Sequence, residues 1–165
     1  MDLDKKFLKI QKIKQKSFGK LVSLQKRFFD EWAVECLTAD GYEGFKIAYF
    51  GILKNIGLEG TTNNELAEKA CVTKQATSKV IKELESFGLV TSVSHEADSR
   101  RFIIKLTRKG KELVIKATEM VTKRMTDYEK LVGKERFRQA METMFEIMEY
   151  EKALWEAKKN NKKSA

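Results

Sequence analysis

Thr61 to Val90 reads TTNNELAEKACVTKQATSKVIKELESFGLV, and the spacing within it decides the fold. Thr62 and Glu65 stand at the interval of a capping box, in which a hydroxyl and a carboxylate each satisfy a free N–H at a helix start. A short helix over 63–69 follows. ACVT is then a tight connection, and Thr73 is placed to cap the next helix. That second helix spans 74–87, with Ala76, Val80, Leu84 and Phe87 as its apolar face and Gly88 as its stop. A short helix, a brief turn and a longer helix make a helix-turn-helix. The small Ala67 and Ala70 are what close packing of the two helices needs.

Downstream, 89–94 reads as a strand and 101–106 as its partner, with HEADS at the hairpin tip. A helix-turn-helix followed by such a hairpin is a winged helix. Thr107 can cap a long helix through Leu113, Ala117, Met120, Val121, Tyr128 and Leu131. Gly133 breaks it, and a last helix carries Phe137, Met141, Met144, Phe145, Met148 and Leu154. The terminal KKNNKKSA is expected to be disordered. Upstream, 4–37 reads as helix, with Phe7, Ile10, Ile13, Leu21, Leu24, Phe28, Trp32 and Cys36 recurring every three or four residues. Gly19 either splits this helix or marks its true start. ADGYEG is a loop, and a further helix with Phe45, Ala48, Ile52 and Leu53 on one face ends at Gly57. No proline interrupts the chain. The fold class is mainly α, with a small β wing.

Composition narrows the function. The 165 residues carry a net charge of +9, which favours polyanions. Met1 to Lys20 holds seven lysines and two aspartates, and Lys158 to Ala165 four lysines and no acid. No apolar run is long enough to span a membrane, and the N-terminus lacks the apolar core of a signal peptide. A cytoplasmic location is the expectation. Cys36, Cys71 and the lone His95 do not cluster as metal ligands. No cofactor motif, P-loop, GxSxG or HExxH occurs, so no catalytic residue and no cofactor are assigned. The expectation is that the chain is not an enzyme.

Chemistry concentrates on the helix from Lys74. Thr73, Lys74, Gln75, Thr77, Ser78 and Lys79 include no acid. Gln bonds adenine bidentately, Lys meets guanine or phosphate, and Ser and Thr reach either. Free N–H groups at the helix start add an attraction for phosphate. In the hairpin tip, Arg100 can enter a minor groove, where narrow A·T tracts concentrate negative potential. Asp98 can brace its guanidinium with charge-assisted bonds. Arg101 is assigned to phosphate. The partner these residues imply is double-stranded DNA. The rival is a winged helix that docks on an acidic protein, since a fold does not fix a function.

From Thr62 to Gly110 the chain closely resembles the MarR-type bacterial transcription regulators. The matching pieces are ELAEKACVTKQATSKVIKELESFGLV, EADSRR with its Asp-x-Arg pattern at Asp98-Ser99-Arg100, and IKLTRKG with Leu106, Thr107 and Gly110. The resemblance implies a winged-helix DNA-binding lobe over 61–106 and a helical dimerisation region over 1–57 and 107–158, with 159–165 as a basic tail. It also implies a homodimer on a palindromic operator, acting as a repressor, and a small aromatic ligand that releases the DNA. Phe28, Trp32, Phe45, Tyr49 and Phe50 are the residues expected to line its pocket. Cys36 and Cys71 do not match the position of a redox-sensing cysteine in that family. The basic extension before about Lys16 is not part of its usual core.

Overall fold

The computed structural model of the chain describes residues 2–14, 17–95 and 98–163. The helices are α1 (Leu3–Lys14), α2 (Phe18–Ala39), α3 (Phe50–Leu53), α4 (Asn63–Lys69), α5 (Lys74–Ser86), α6 (Arg108–Val132) and α7 (Lys134–Lys163). The strands are β1 (Thr61–Thr62), β2 (Val90–His95) and β3 (Asp98–Leu106), in the antiparallel order β1-β3-β2. The chain divides into two compact units after Lys111, inside α6.

The first unit holds the helix-turn-helix and the wing. The capping box is present: Glu65 Oε2 accepts the Thr62 N–H at 2.8 Å, and Thr62 Oγ1 accepts the Glu65 N–H at 3.3 Å. α4 ends in a Schellman motif, with Cys71 N–H on Glu68 O and Val72 N–H on Ala67 O. Cys71 is left at φ +54°, a left-handed conformation that glycine adopts without strain. Thr73 Oγ1 then accepts the Ala76 N–H at 3.1 Å and starts α5. Leu53, Leu66, Leu84 and Leu89 are wholly buried and form the centre of this core. Each such side chain stabilises the fold by roughly 1.5–3 kcal/mol relative to exposure.

The apolar face of α5 differs from its expected position. The buried residues are Thr77, Ile81 and Leu84, and Ala76 is exposed. Thr77 passes as a core residue because its hydroxyl donates to Thr73 O at 3.0 Å, one turn back. β1 was not expected. It pairs Thr61 with Ile104 and Thr62 with Ile103, so the residue before the N-cap of α4 is held on the wing sheet.

The start of α6 is locked to the end of α5. Thr107 Oγ1 donates to Gly88 O at 2.7 Å, Thr107 N–H to Leu89 O at 3.0 Å, and Gly110 N–H to Thr107 Oγ1 at 3.0 Å. Lys109 Nζ donates to Phe87 O at 3.0 Å. A Cβ on Gly110 would stand 2.0 Å from Leu89 O. The Leu-Thr-x-x-Gly signature is therefore a clamp: threonine ties two carbonyls, and glycine lets the helix approach them.

Several boundaries depart from the sequence reading. The long N-terminal helix is two helices, and α2 starts with Ser17 Oγ accepting the Lys20 N–H at 3.3 Å. The helix expected to begin near Phe45 is a 3-10 turn over Ile47–Tyr49 followed by the one-turn α3. Its buried residues are Phe45, Tyr49, Ile52 and Leu53, with Ala48 exposed. In the second unit, the end of α6 and all of α7 flank Gly133, which takes φ +91°. The α7 backbone is helical to Lys163, past the point at which composition suggests that order is lost.

Candidate nucleic-acid interface

α5 presents one face to solvent, opposite Thr77, Ile81 and Leu84. Gln75, Lys79 and Lys82 occupy its centre by helical spacing, and Lys74 and Ser78 flank it. Lys74, Gln75, Lys79 and Lys82 are exposed. Ser78 is half-buried: its hydroxyl accepts from Asn63 Nδ2 at 2.9 Å and donates to Lys74 O. Thr73 is spent in part on capping. Thr77 is completely buried, so the nucleic-acid contact expected of it is not available. Lys82, two turns from the helix start, is exposed on the same face.

The acids of α5 are tied back. Glu83 accepts hydrogen bonds from the Tyr49 hydroxyl and from Lys46 Nζ, the latter at 3.1 Å. The Tyr49 hydroxyl first, and then Lys46, holds its carboxyl below the ordinary value of 4.5. Lys46 is raised in return by Tyr49 and Glu83. Glu85 accepts from the Ser92 hydroxyl on β2 at 2.5 Å. Sequence reasoning missed the Tyr49–Glu83 contact, because no spacing rule joins residues 34 positions apart.

On the wing, β2 and β3 pair from Val90↔Leu106 to Ser94↔Phe102, and a register shift precedes the His95↔Asp98 pair. The tip residues Glu96 and Ala97 lie outside the described residues. So do the side chains of Asp98, Arg100 and Arg101, whose expected roles therefore rest on the backbone position in β3 and on the sequence.

The five aromatics expected around a ligand are differently placed. Phe45 and Tyr49 are buried core residues. Phe45 meets Tyr49 at 5.2 Å, Phe50 at 5.1 Å and Phe87 at 6.0 Å between ring centroids. Trp32 is half-buried and meets Phe29 at 5.3 Å. Phe28 is exposed beneath the Arg27 guanidinium. A separate open groove of about 270 Å³ lies in the second unit, with Met125, Phe137, Met141 and Phe145 among its walls. Among the described residues no group of His, Cys, Asp and Glu is arranged to hold a metal ion, and no helix is long and apolar enough to cross a membrane.

Comparison with known proteins agrees with this architecture. Residues 50–102, from α3 into β3, match the model of the MarR family. The chain is 29% identical over 104 residues to the HTH-type transcriptional regulator FarR of Neisseria gonorrhoeae, covering 62% of this chain and 71% of FarR. Among solved structures, CouR bound to a 23-mer DNA duplex is similar, with a TM-score of 0.65 and 22% identity over 81% of this chain and 93% of that one. CouR from Rhodococcus jostii RHA1 has also been solved with p-coumaroyl-CoA, at a TM-score of 0.62 and 20% identity over 81% and 92% of the two chains. The transcriptional regulator BldR from Sulfolobus solfataricus gives 0.60 and 21% over 91% and 99%. At these identities the structural neighbours speak for the fold alone, and residues 50–102, which hold the helix-turn-helix and most of the wing, are similar to the MarR family of winged-helix proteins.

Proposed function

We propose that the chain is a sequence-specific double-stranded-DNA-binding transcriptional regulator, working as a homodimeric repressor in the cytoplasm. The observation that carries the reading is the front of α5. It offers Lys74, Gln75, Lys79 and Lys82 to solvent, while the helix's carboxylates are held by Tyr49, Lys46 and Ser92. Gln75 would read a base edge in the major groove, and the lysines would meet phosphate or guanine. Arg100, braced by Asp98, would enter the adjacent minor groove, with Arg101 on phosphate.

The dimer is supported by apolar surface that a single chain leaves in water. Phe18 and Leu21 on α2, and Met144, Phe145, Met148, Leu154 and Trp155 on α7, are all exposed. Contiguous patches of this kind mark interaction sites. A two-fold dimer would place its reading helices on half-sites roughly 34 Å apart. We further propose that a small aromatic ligand releases the DNA. Phe45 and Tyr49 lie inside the core, so such a ligand would first meet the half-buried Trp32 and Phe50 at its edge.

The test is selection from a random duplex pool at near-physiological salt, followed by sequencing. Enrichment of an inverted repeat with the spacing given above supports the reading. Retention without enrichment would instead favour the protein-docking alternative, because bare affinity for polyanions is sequence-blind.

A further inference from the structure

The turn before α5 and the first turn of α5 leave apolar surface in water that the fold does not use. Val72 is 46% exposed. It stands one residue before the N-cap, a position whose side chain often packs back on the helix, and its N–H is spent on Ala67 O. Ala76 is exposed as well. Its N–H donates to Thr73 Oγ1 at 3.1 Å, so the cap holds its backbone while its methyl group faces solvent. The core face of α5 is Thr77, Ile81 and Leu84, to which neither residue belongs.

The surroundings select what could cover them. Ala76 follows Gln75 directly and lies one turn before Lys79, and both of these are exposed. From Lys69 to Lys82 the chain carries four lysines and no acid, a setting for an anionic partner. Two small side chains offer far less than the roughly 1,200–2,000 Å² that a stable protein interface buries. They match one small apolar group instead. The major groove of DNA supplies it: thymine alone among the four bases carries a methyl group, on C5, and alanine and other apolar side chains pack against it. Spacing agrees. Neighbouring Cα atoms are about 3.8 Å apart, close to the ~3.4 Å between successive bases of a strand.

We propose that Val72 and Ala76 form an apolar contact for the C5 methyl group of a thymine, on the base pair beside the one read by Gln75. The proposal rests on the specific DNA binding inferred above. It makes the operator half-site one that must hold thymine at a defined place, and it gives Ala76 a role that its exposure on a reading helix otherwise lacks.

The full-length chain is tested on the duplex selected from the random pool, with each thymine in turn replaced by uracil in both half-sites. Uracil removes the methyl group and keeps every hydrogen-bonding atom. At one position per half-site, beside the base pair at which Gln75→Ala relaxes preference, uracil should weaken wild-type binding about fourfold per methyl group, the worth of burying one such group. Val72→Ala and Ala76→Gly should each bring the thymine-to-uracil ratio at that position toward one, with the salt slope unchanged, since no phosphate contact is lost. The ratio compares two duplexes on one protein, so a general loss of stability in a variant does not move it.

Equal binding of thymine and uracil at every position would overturn the contact, because no methyl group would then be read. A ratio that survives intact in both variants would also overturn it, because another residue would then be the reader. Failure to enrich any motif from the pool would instead refute the specific DNA binding on which the proposal rests.

Discussion

Gly110→Ala should destabilise the protein, although alanine is the better helix former. The new Cβ would stand 2.0 Å from Leu89 O, 3.0 Å from Leu89 C and 3.3 Å from Leu106 Cδ2, where ordinary contact begins at 3.4 Å. The nearest obstacle is backbone, so no side chain can rotate away. The start of α6 must withdraw, and withdrawal stretches Thr107 N–H to Leu89 O and Thr107 Oγ1 to Gly88 O. Overpacking of this kind costs ~1–3 kcal/mol. Two weakened hydrogen bonds add ~0.5–1.5 kcal/mol each. Helix propensity returns ~1 kcal/mol. The net loss is about 1–5 kcal/mol, and a value near 3 kcal/mol, the centre of that range, should lower Tm by about 6–12 °C for a chain of this length. Gly19→Ala is the control: nothing lies within 4 Å of its Cβ position, in the first turn of α2. It should hold or raise Tm. Thermal unfolding followed at 222 nm measures both. If Gly110→Ala melts at or above the wild type, the clamp between α6 and the end of α5 is wrong.

Cys71→Gly should stabilise by about 0.5–1 kcal/mol, because the Schellman motif holds Cys71 at φ +54° where a side chain is strained; a loss in urea titration would contradict this. Gln75→Ala should relax base preference at one position by ~1–3 kcal/mol, whereas Lys79→Ala should weaken all duplexes and reduce the salt slope by about one. An unchanged selected motif for the first would count against base reading there. Arg100→Ala should cost ~1–3 kcal/mol on the selected operator, and wild-type affinity would remove the wing from the interface. The Glu83 carboxyl is depressed in the fold, so its contribution is complete above 4.5 and fades as pH falls through the lower folded value. Glu83→Gln should therefore flatten the acid limb of stability, and an unaltered pH profile between 5 and 3 (about the carboxylate range) would deny the Tyr49–Glu83 tie its role.

What was legible in the sequence was local. Thr62 with Glu65, and Thr73 at the next start, name their helices because capping operates over three residues. Gly133 names the break before α7 for the same reason. The apolar face of α5 was read one residue away from its place, since alanine at 76 looked more like core than threonine at 77. A hydroxyl that bonds its own helix one turn back reads in sequence as polar and behaves in the fold as buried volume. The aromatic residues show a related limit. Aromatic residues at helical spacing signal burial, and burial alone does not say whether the rings enclose a space or fill it. Here Phe45 packs against Tyr49, Phe50 and Phe87, and Tyr49 also meets Phe87.

The contacts that no spacing rule could find act together on α5. Asn63 holds Ser78 near its start, Tyr49 and Lys46 hold Glu83 on one side, and Ser92 holds Glu85 on the other. Lys109 and Thr107 fasten Phe87 O and Gly88 O just beyond its end. A reading helix needs fixed geometry, because a base edge accepts a bidentate side chain only at a narrow angle. It also needs a face without carboxylates, because each one would repel phosphate. The same bonds meet both needs: the glutamates that would oppose DNA are the handles by which the helix is held. Glu83→Ala should accordingly harm duplex binding, even though it removes a negative charge from a helix that we propose faces phosphate. Simple charge counting predicts the opposite sign. Tighter binding by this variant would show that repulsion outweighs anchoring, and would leave the helix fixed by the Thr107 clamp and its core alone.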